Sequence, residues 1–255
     1  MSFLSNQLDI LKTLLLEFGQ KKPANSAGSA EKLTSELDVS LSREGSDDAT
    51  LLSYAKDYLS INPDVSQPSF YKLLYSGVNE SALLGDWLAS LSNANMHTFQ
   101  MSPVATLMEL ELINQWNKLL GFDLGDGVMV SGGSQANIVA MLLARHQKMA
   151  NTKKKGLQGN TLVAFVSDQA HYSSLRAANL LGIGTDHLIA VASDNDGCII
   201  PEQLDMEIKS SINKGHIPFY VGLTAGTTVV GAFDPIQPCT KLAKQYDLWV
   251  HVDAA

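Results

Sequence analysis

Residues 218–236 read PFYVGLTAGTTVVGAFDPI and join an apolar run to a polar turn. The apolar part, 218–224, is rich in β-branched and aromatic residues, which favours a buried strand. Asp234 and Pro235 then introduce a helix predicted at 236–246. The stretch therefore predicts a strand, a turn and a helix in succession, which is the repeating unit of an α/β sheet.

The same alternation continues on both sides of this stretch. Short apolar runs bounded by turn residues alternate with segments of helical periodicity, which is typical of a mainly parallel sheet with helices on its faces. The predicted strands are 127–130, 161–167, 188–193, 218–224 and 248–254, and the predicted helices between them are 135–150, 172–181, 201–214 and 236–246. The predicted fold class is therefore α/β.

The first half of the chain has a different character, because helical periodicity dominates it. It predicts helices at 49–60, 79–92 and 102–122. The last of these is apolar around most of its circumference, so we expect it to be packed inside. We divide the chain into an N-terminal helix with a flexible linker (1–50), a helical N-terminal segment (51–121) and the first part of an α/β large domain (122–255).

Composition argues against several classes of protein. The chain has 255 residues and a formal net charge of -8. With no basic cluster beyond Lys153–Lys155, this charge argues against nucleic acid or an anionic membrane as a partner. No apolar run reaches the roughly 18 residues of a transmembrane helix. Cys198 and Cys239 form no CxxC motif, which suits a reducing cytoplasm, and no metal-ligand set is predicted.

Two candidate sites follow predicted strands. The turn Gly132-Gly133 followed by Ser134 exposes backbone N–H groups at a helix start, where a phosphate can bind. The alternative is a turn that only joins a strand to a helix. His171 follows the strand 161–167. Its imidazole is suited to stacking on a flat ligand or to proton transfer, and the alternative is a hydrogen bond within a loop.

Two more candidate sites lie at strand ends. Thr227 and Thr228 follow Gly226 in the turn after 218–224, where they can approach a ligand or simply close the turn. Asp253 ends the last strand, so its carboxylate should be partly desolvated and need a partner. A protonated ring nitrogen is one such partner, and a structural ion pair or helix cap is the alternative. Because parallel strands bind ligands at their carboxyl ends, we expect all four features to form one site.

The residues resemble the group II pyridoxal-phosphate decarboxylases, the family of glutamate, cysteine sulfinate and aromatic amino acid decarboxylases. The resemblance runs from about Tyr71 to Ala255 and is carried by NANMHTFQMSPVATLMELE (93–111), SGGSQANIVAMLLAR (131–145), DQAHYSSLRAANLLGIGTD (168–186), GHIPFYVGLTAGTTVVGAFDPIQ (215–237) and LWVHVDAA (248–255). It implies a fold-type I transferase-like large domain, incomplete here and preceded by a helical segment, and the cofactor pyridoxal 5'-phosphate.

The resemblance also implies roles for single residues. The cofactor contacts that it implies are the phosphate at Gly133 and Ser134, the ring stacked on His171, the pocket at Thr227, the pyridine nitrogen at Asp253 and the ring packed on Ala255. His171 and Asp253 are the implied catalytic residues. Asn95 and His97 are the implied substrate-side residues.

The resemblance implies a cytoplasmic homodimer that acts on a small amino acid, with an acidic one (glutamate, aspartate or cysteine sulfinate) preferred. Leu73 stands where the glutamate and cysteine sulfinate enzymes usually carry a glutamine, so the choice among these acids stays open. In the family the lysine that binds the cofactor follows the DAA motif, and no lysine here falls at the matching place. We therefore expect the N-terminal part of a decarboxylase, inactive alone. The alternatives are a non-catalytic half-decarboxylase that binds a partner chain, or another fold-type I enzyme.

Overall fold

The computed structural model describes residues 12, 16, 28–41, 43–65, 67–68, 70–71 and 77–255. Most of the helix predicted near the N-terminus, and Leu73, lie outside these described residues. The chain divides into two compact units, Met1–Leu107 and Met108–Ala255. The domain limits inferred from the sequence stay predictions.

Helices dominate the described part of the first unit. They are α1 (Ala30–Glu36), α2 (Asp48–Ile61) and α3 (Glu80–Ser92). Each begins after a polar residue whose side chain accepts a backbone N–H of the first turn, as helix starts favour; these residues are Ser29, Asp47 and Asn79. The helices predicted at 49–60 and 79–92 are confirmed, and α1 lies within the segment predicted as a linker.

Helix α4 (Pro103–Leu120) confirms the helix predicted at 102–122, but the expectation that it is packed inside is wrong. None of its residues is buried, and Val104 and Leu119 are 69% and 75% exposed. An all-round apolar helix needs neighbours on every side, and the chain covers only part of this one. The carboxylate of Glu109 there accepts the N–H of Met129 at 2.9 Å.

The second unit alternates strands with helices, as the sequence predicts. After α5 (Gly133–Lys148) and α6 (Thr152–Lys155) the order is β1 (Leu162–Ser167), α7 (Ser173–Leu180), β2 (Leu188–Val191), α8 (Pro201–Asn213), β3 (Ile217–Thr224), α9 (Ile236–Gln245) and β4 (Trp249–Asp253). A short 3-10 turn, Thr185–His187, precedes β2. In the part of the chain that the structure describes, no helix has both the length and the apolarity that a membrane crossing requires.

The four strands form one parallel sheet in the order β2-β1-β3-β4. Every residue of β1 is buried, as expected for a central strand covered on both faces. One set of apolar side chains, including Phe165, Ile208 and Leu223, packs on the face under α8 and α9. A second set, including Met141, Ala164 and Tyr220, packs on the face under α5 and α7. The α/β class predicted from the sequence is confirmed.

Two strand predictions need correction. The strand predicted at 127–130 is wrong, because the backbone N–H of Met129 bonds to a side chain of α4 instead of a neighbouring strand, and Val128 is 63% exposed. The strand predicted at 188–193 ends at Val191. There the chain turns away, and the carbonyl of Ala192 accepts the N–H of Ile200 at 3.1 Å.

Candidate active site

The carboxyl ends of β3 and β4 lie side by side at one edge of the sheet. The register pairs Thr224 with Asp253, and the N–H of Ala225 donates to the carbonyl of Asp253 at 2.8 Å. The start of α5 meets the same edge, since a Cβ added to Gly133 would lie 2.6 Å from the Cβ of Ala255. His171 is connected to this edge as well, through hydrogen bonds that run by way of Ser173 and Asn137 to Asp253.

The turn before α5 presents backbone N–H groups. Gly132 has φ 152° and ψ 168°, a conformation that favours glycine, and no side chain caps the helix. The N–H groups of Gln135 and Ala136 donate back to the carbonyl of Gly132. Those of Gly133 and Ser134 occupy the first turn, at the positive end of the helix dipole. This geometry suits an anion such as a phosphate.

Asp253 is half-buried at the end of β4. Its Oδ2 accepts a hydrogen bond from Nδ2 of Asn137 at 2.7 Å, and its Oδ1 accepts one from the N–H of Ala255 at 3.2 Å. Among the described residues, none of the ion pairs includes Asp253. The carboxylate is therefore held by neutral donors, without a cationic partner among the described residues.

His171 lies in the loop between β1 and α7. Its Nδ1 is 2.8 Å from Oγ of Ser173 and accepts the backbone N–H of Ser173 at 3.2 Å. An Nδ1 that accepts carries no proton, so the neutral ring carries its proton on Nε2. The ring also contacts Tyr172, with 4.2 Å between the ring centroids.

Thr227 is buried and closes the turn after β3. Its Oγ1 accepts the N–H of Ala232 at 3.0 Å, and its own N–H donates to the carbonyl of Ala232 at 2.9 Å. Asp234, also buried, accepts the N–H groups of Thr224 and Ile199 at 2.7 and 2.8 Å. These bonds hold the loop beside the end of β3.

Three further polar residues, Asn137, Ser173 and His251, connect these candidate residues. Asn137 of α5 is buried and bonds to Asp253, to Ser173 at 2.8 Å, and to Nε2 of His251 at 2.7 Å. Burial lowers the pKa of His251, while the nearby carboxylate of Asp253 acts in the opposite direction.

Weak signals for these residues exist in the sequence. His251 and Asp253 are two apart in a strand and therefore share a face. Asn137 is a polar residue within an otherwise apolar helix segment, and Ser173 is two residues after His171. None of these signals alone identifies a partner.

Asn95 and His97 belong to the first unit. Both are exposed, and the side-chain oxygen of Asn95 accepts the backbone N–H of His97 at 2.8 Å. This bond shapes the local turn. Their substrate-side role stays a prediction.

Comparison with known proteins decides the family. The family model described as "Pyridoxal-dependent decarboxylase conserved domain" matches residues 31–255. The chain belongs to this family. The family membership expected from the sequence, and its dependence on a pyridoxal cofactor, are thereby confirmed.

Individual relatives agree with this family. The chain is 42% identical over 190 residues to a glutamate decarboxylase from Drosophila melanogaster, a match that covers 74% of this chain and 37% of the relative. It is 36% identical over 226 residues to a cysteine sulfinic acid decarboxylase from Rattus norvegicus, covering 88% of this chain and 46% of the relative. The chain thus spans less than half the length of these relatives.

A solved structure confirms the fold. The crystal structure of mouse CSAD in apo form superposes with a TM-score of 0.94 at 33% identity, covering 98% of this chain and 54% of that one. The fold-type I class and the mainly parallel sheet with flanking helices are therefore as the sequence analysis expected.

Proposed function

We propose that the whole protein to which this chain belongs uses pyridoxal 5'-phosphate to decarboxylate a small acidic amino acid, releasing CO2 and the corresponding amine. The observation that carries this proposal is Asp253. It is a half-buried carboxylate at the carboxyl edge of the sheet, supplied with N–H donors but with no cationic partner among the described residues. Such a carboxylate fits a protonated ring nitrogen.

The other predicted cofactor residues fit the same group. The backbone N–H groups of Gly133 and Ser134 suit the phosphate, and the imidazole of His171 suits a flat ring. Gly133 and Ala255 approach each other so closely that a Cβ on Gly133 has no room. This contact supports a close approach of the turn to the end of β4, where the cofactor would be held.

The chemistry follows from where the negative charge lies. When bound, pyridoxal phosphate supplies a protonated pyridine ring that accepts the electron pair left as the substrate loses CO2. Asp253 holds the proton on the ring nitrogen. His251 does not compete for this carboxylate as an imidazolium, because its burial lowers its pKa and favours the neutral ring. Asp253 thus remains available to the ring nitrogen of the cofactor.

The acidic substrate class rests on the relatives. Glutamate and cysteine sulfinic acid, named in the relatives to which the chain is similar, both carry a second acidic group. Asn95 and His97 are the proposed substrate-side residues by resemblance, since an amide and an imidazole can both donate hydrogen bonds to an acidic group. A cytoplasmic location is part of the same proposal.

A homodimer is the proposed assembly. The apolar side chains Leu112, Trp116 and Leu119 of α4 are spaced four and three residues apart and share a face. They are 50%, 57% and 75% exposed. An exposed apolar stripe of this kind is typical of an interface, which supports a second copy as the cover for α4.

The test is an assay of the whole protein loaded with pyridoxal phosphate. We expect CO2 release from at least one of glutamate, aspartate and cysteine sulfinate, and no 2-oxo acid product, which would indicate transamination. Asp253→Ala should lower turnover by several orders of magnitude, since the ring nitrogen loses its proton. Asp247→Ala, at an exposed carboxylate paired with Lys148, is the matched control. No CO2 from any of the three acids would reject the proposal.

A further inference from the structure

Asn137 is a buried polar residue with three side-chain partners. It lies on α5, one helical turn after Gly133, and is 3% exposed. A buried amide is costly unless its hydrogen-bonding groups are satisfied. The three partners belong to two other elements, namely β4 for Asp253 and His251 and the start of α7 for Ser173.

The direction of each hydrogen bond is fixed by chemistry. A carboxylate only accepts, so the amide nitrogen Nδ2 must face Asp253, at 2.7 Å. The second proton of Nδ2 is donated to Oγ of Ser173 at 2.8 Å. The amide oxygen Oδ1 then faces Nε2 of His251 at 2.7 Å, which must donate. All of these positions agree with a single orientation of the amide.

The same bonds extend to His171. Because Oγ of Ser173 accepts from Asn137, its own hydrogen is available to Nδ1 of His171, 2.8 Å away. One amide therefore connects the carboxylate assigned to the pyridine nitrogen with the imidazole assigned to the cofactor ring. Asn137 is separated along the chain from Ser173 by 36 positions and from Asp253 by 116 positions.

We propose that Asn137 is a positioning residue, which orients the carboxylate of Asp253 towards the ring nitrogen and, through Ser173, the imidazole of His171 towards the ring. This inference rests on the proposed function, since it assumes that Asp253 and His171 meet the cofactor. The required property is the N–H donor. A carbonyl oxygen or a methyl group at that position cannot donate a hydrogen bond to a carboxylate.

The test compares Asn137→Val with Asn137→Thr, two variants of almost equal shape that differ by one hydroxyl donor. The probe is pyridoxamine 5'-phosphate labelled with 15N in its ring, which has the ring and phosphate of the cofactor but no aldehyde to react with a lysine. Its affinity for the whole protein and its ring 15N chemical shift report binding and protonation of the ring nitrogen independently of turnover.

In the wild type we expect a protonated ring nitrogen. In Asn137→Val the resonance should move towards the unprotonated position and the dissociation constant should rise about tenfold or more, as for a lost bond to a charged group. Asn137→Thr should recover part of both effects. Ser211→Ala, at a buried hydroxyl on α8, is the control and should change neither.

The outcomes separate the two proposals. An unprotonated ring nitrogen in the wild type would overturn the role of Asp253 and, with it, that of Asn137. A protonated wild type with equal 15N shifts and affinities in the Val and Thr variants would overturn the positioning role alone, whatever their stabilities. If Asn137→Val does not fold, the smaller pair Asn137→Ala and Asn137→Ser makes the same comparison.

Discussion

At the scale of single residues, His251 links protonation to stability. Burial lowers its pKa below the ordinary value of 6.5, so the unfolded chain takes up a proton at a higher pH than the folded chain. Between 6.5 and the lower folded pKa, the unfolded state thus binds more protons. The free energy of unfolding should therefore fall as the pH falls through this window, by at most about 1.4 kcal/mol per pH unit.

Urea unfolding at several pH values measures this effect. His251→Gln keeps an N–H that can donate to Asn137 but does not titrate, so the difference between wild type and variant isolates the contribution of His251. The wild type should lose stability relative to the variant below about pH 6.5. Parallel pH profiles for the two proteins would contradict the assignment.

Tyr220 has a buried hydroxyl that finds no hydrogen-bond partner among the described residues. Its ring lies over Gly222, where an added Cβ would come within 3.0 Å of Cε1 of Tyr220, and stacks on His251 with 6.0 Å between the ring centroids. Burial, with a smaller effect of Asp253, raises the pKa of the hydroxyl, so it stays protonated at neutral pH.

Tyr220→Phe should leave stability unchanged or raise it by about 1–3 kcal/mol, because it removes a desolvated hydroxyl that makes no bond. Chemical unfolding of the two proteins measures this. The matched comparison is Thr227→Val, where a buried hydroxyl that accepts an N–H is lost and destabilisation is expected. A clear loss of stability in Tyr220→Phe would show that the hydroxyl has a partner.

At the scale of elements, the junction between α5 and β4 depends on the absence of a side chain. A Cβ on Gly133 would lie 2.6 Å from the Cβ of Ala255, so one of the two backbones must move. Gly133→Ala should lower stability by about 1–3 kcal/mol. It should also weaken binding of pyridoxamine 5'-phosphate, because the shift displaces the N–H groups proposed to hold the phosphate.

Gly85→Ala is the control for Gly133→Ala. Gly85 is an exposed residue of α3 where an added Cβ meets no atom within 4 Å. There the higher helix propensity of alanine should stabilise by about 0.5–1 kcal/mol. Thermal unfolding should therefore show a loss of stability in Gly133→Ala and a gain in Gly85→Ala. A binding titration should show weaker binding in Gly133→Ala only. Unchanged affinity in Gly133→Ala would argue against the phosphate site.

Local patterns explain which elements could be predicted. The strands of the sheet are mainly apolar runs, and the central ones, β1 and β3, are buried because helices cover both faces, so their approximate positions could be predicted from the sequence. The segment 127–130 has the same pattern, but whether it forms a strand depends on a neighbour, and the backbone of Met129 bonds to Glu109 instead.

The residues of the candidate site also differ in whether a local sequence pattern suggests them. Gly133, His171 and Asp253 could be chosen as candidates because each follows or ends a local motif at the carboxyl edge, and their roles stay predictions. Asn137 could not be chosen, because its hydrogen bonds are to His251 and Asp253, which lie 114 and 116 positions further along the chain. Sequence periodicity carries no information on such contacts.

At the scale of the whole molecule, the sheet and α4 differ in how much of their apolar surface the chain itself covers. The sheet is covered on both faces within the chain, whereas α4 has no buried residue. Leaving Leu112, Trp116 and Leu119 in water is unfavourable by roughly 25 cal/mol per Å² of apolar surface that could be buried. A second copy packed on this face would remove the penalty.

Sedimentation velocity of the whole protein over a range of concentrations measures the assembly. We expect a dimer at micromolar concentration, and Trp116→Lys should raise the dimer dissociation constant by at least about thirtyfold, as for the loss of a central aromatic residue. Asn213→Lys adds the same charge at an exposed position of α8 and should leave the constant unchanged. A wild type that sediments as a monomer, or equal constants for the two variants, would mean that α4 is covered by something other than a second copy.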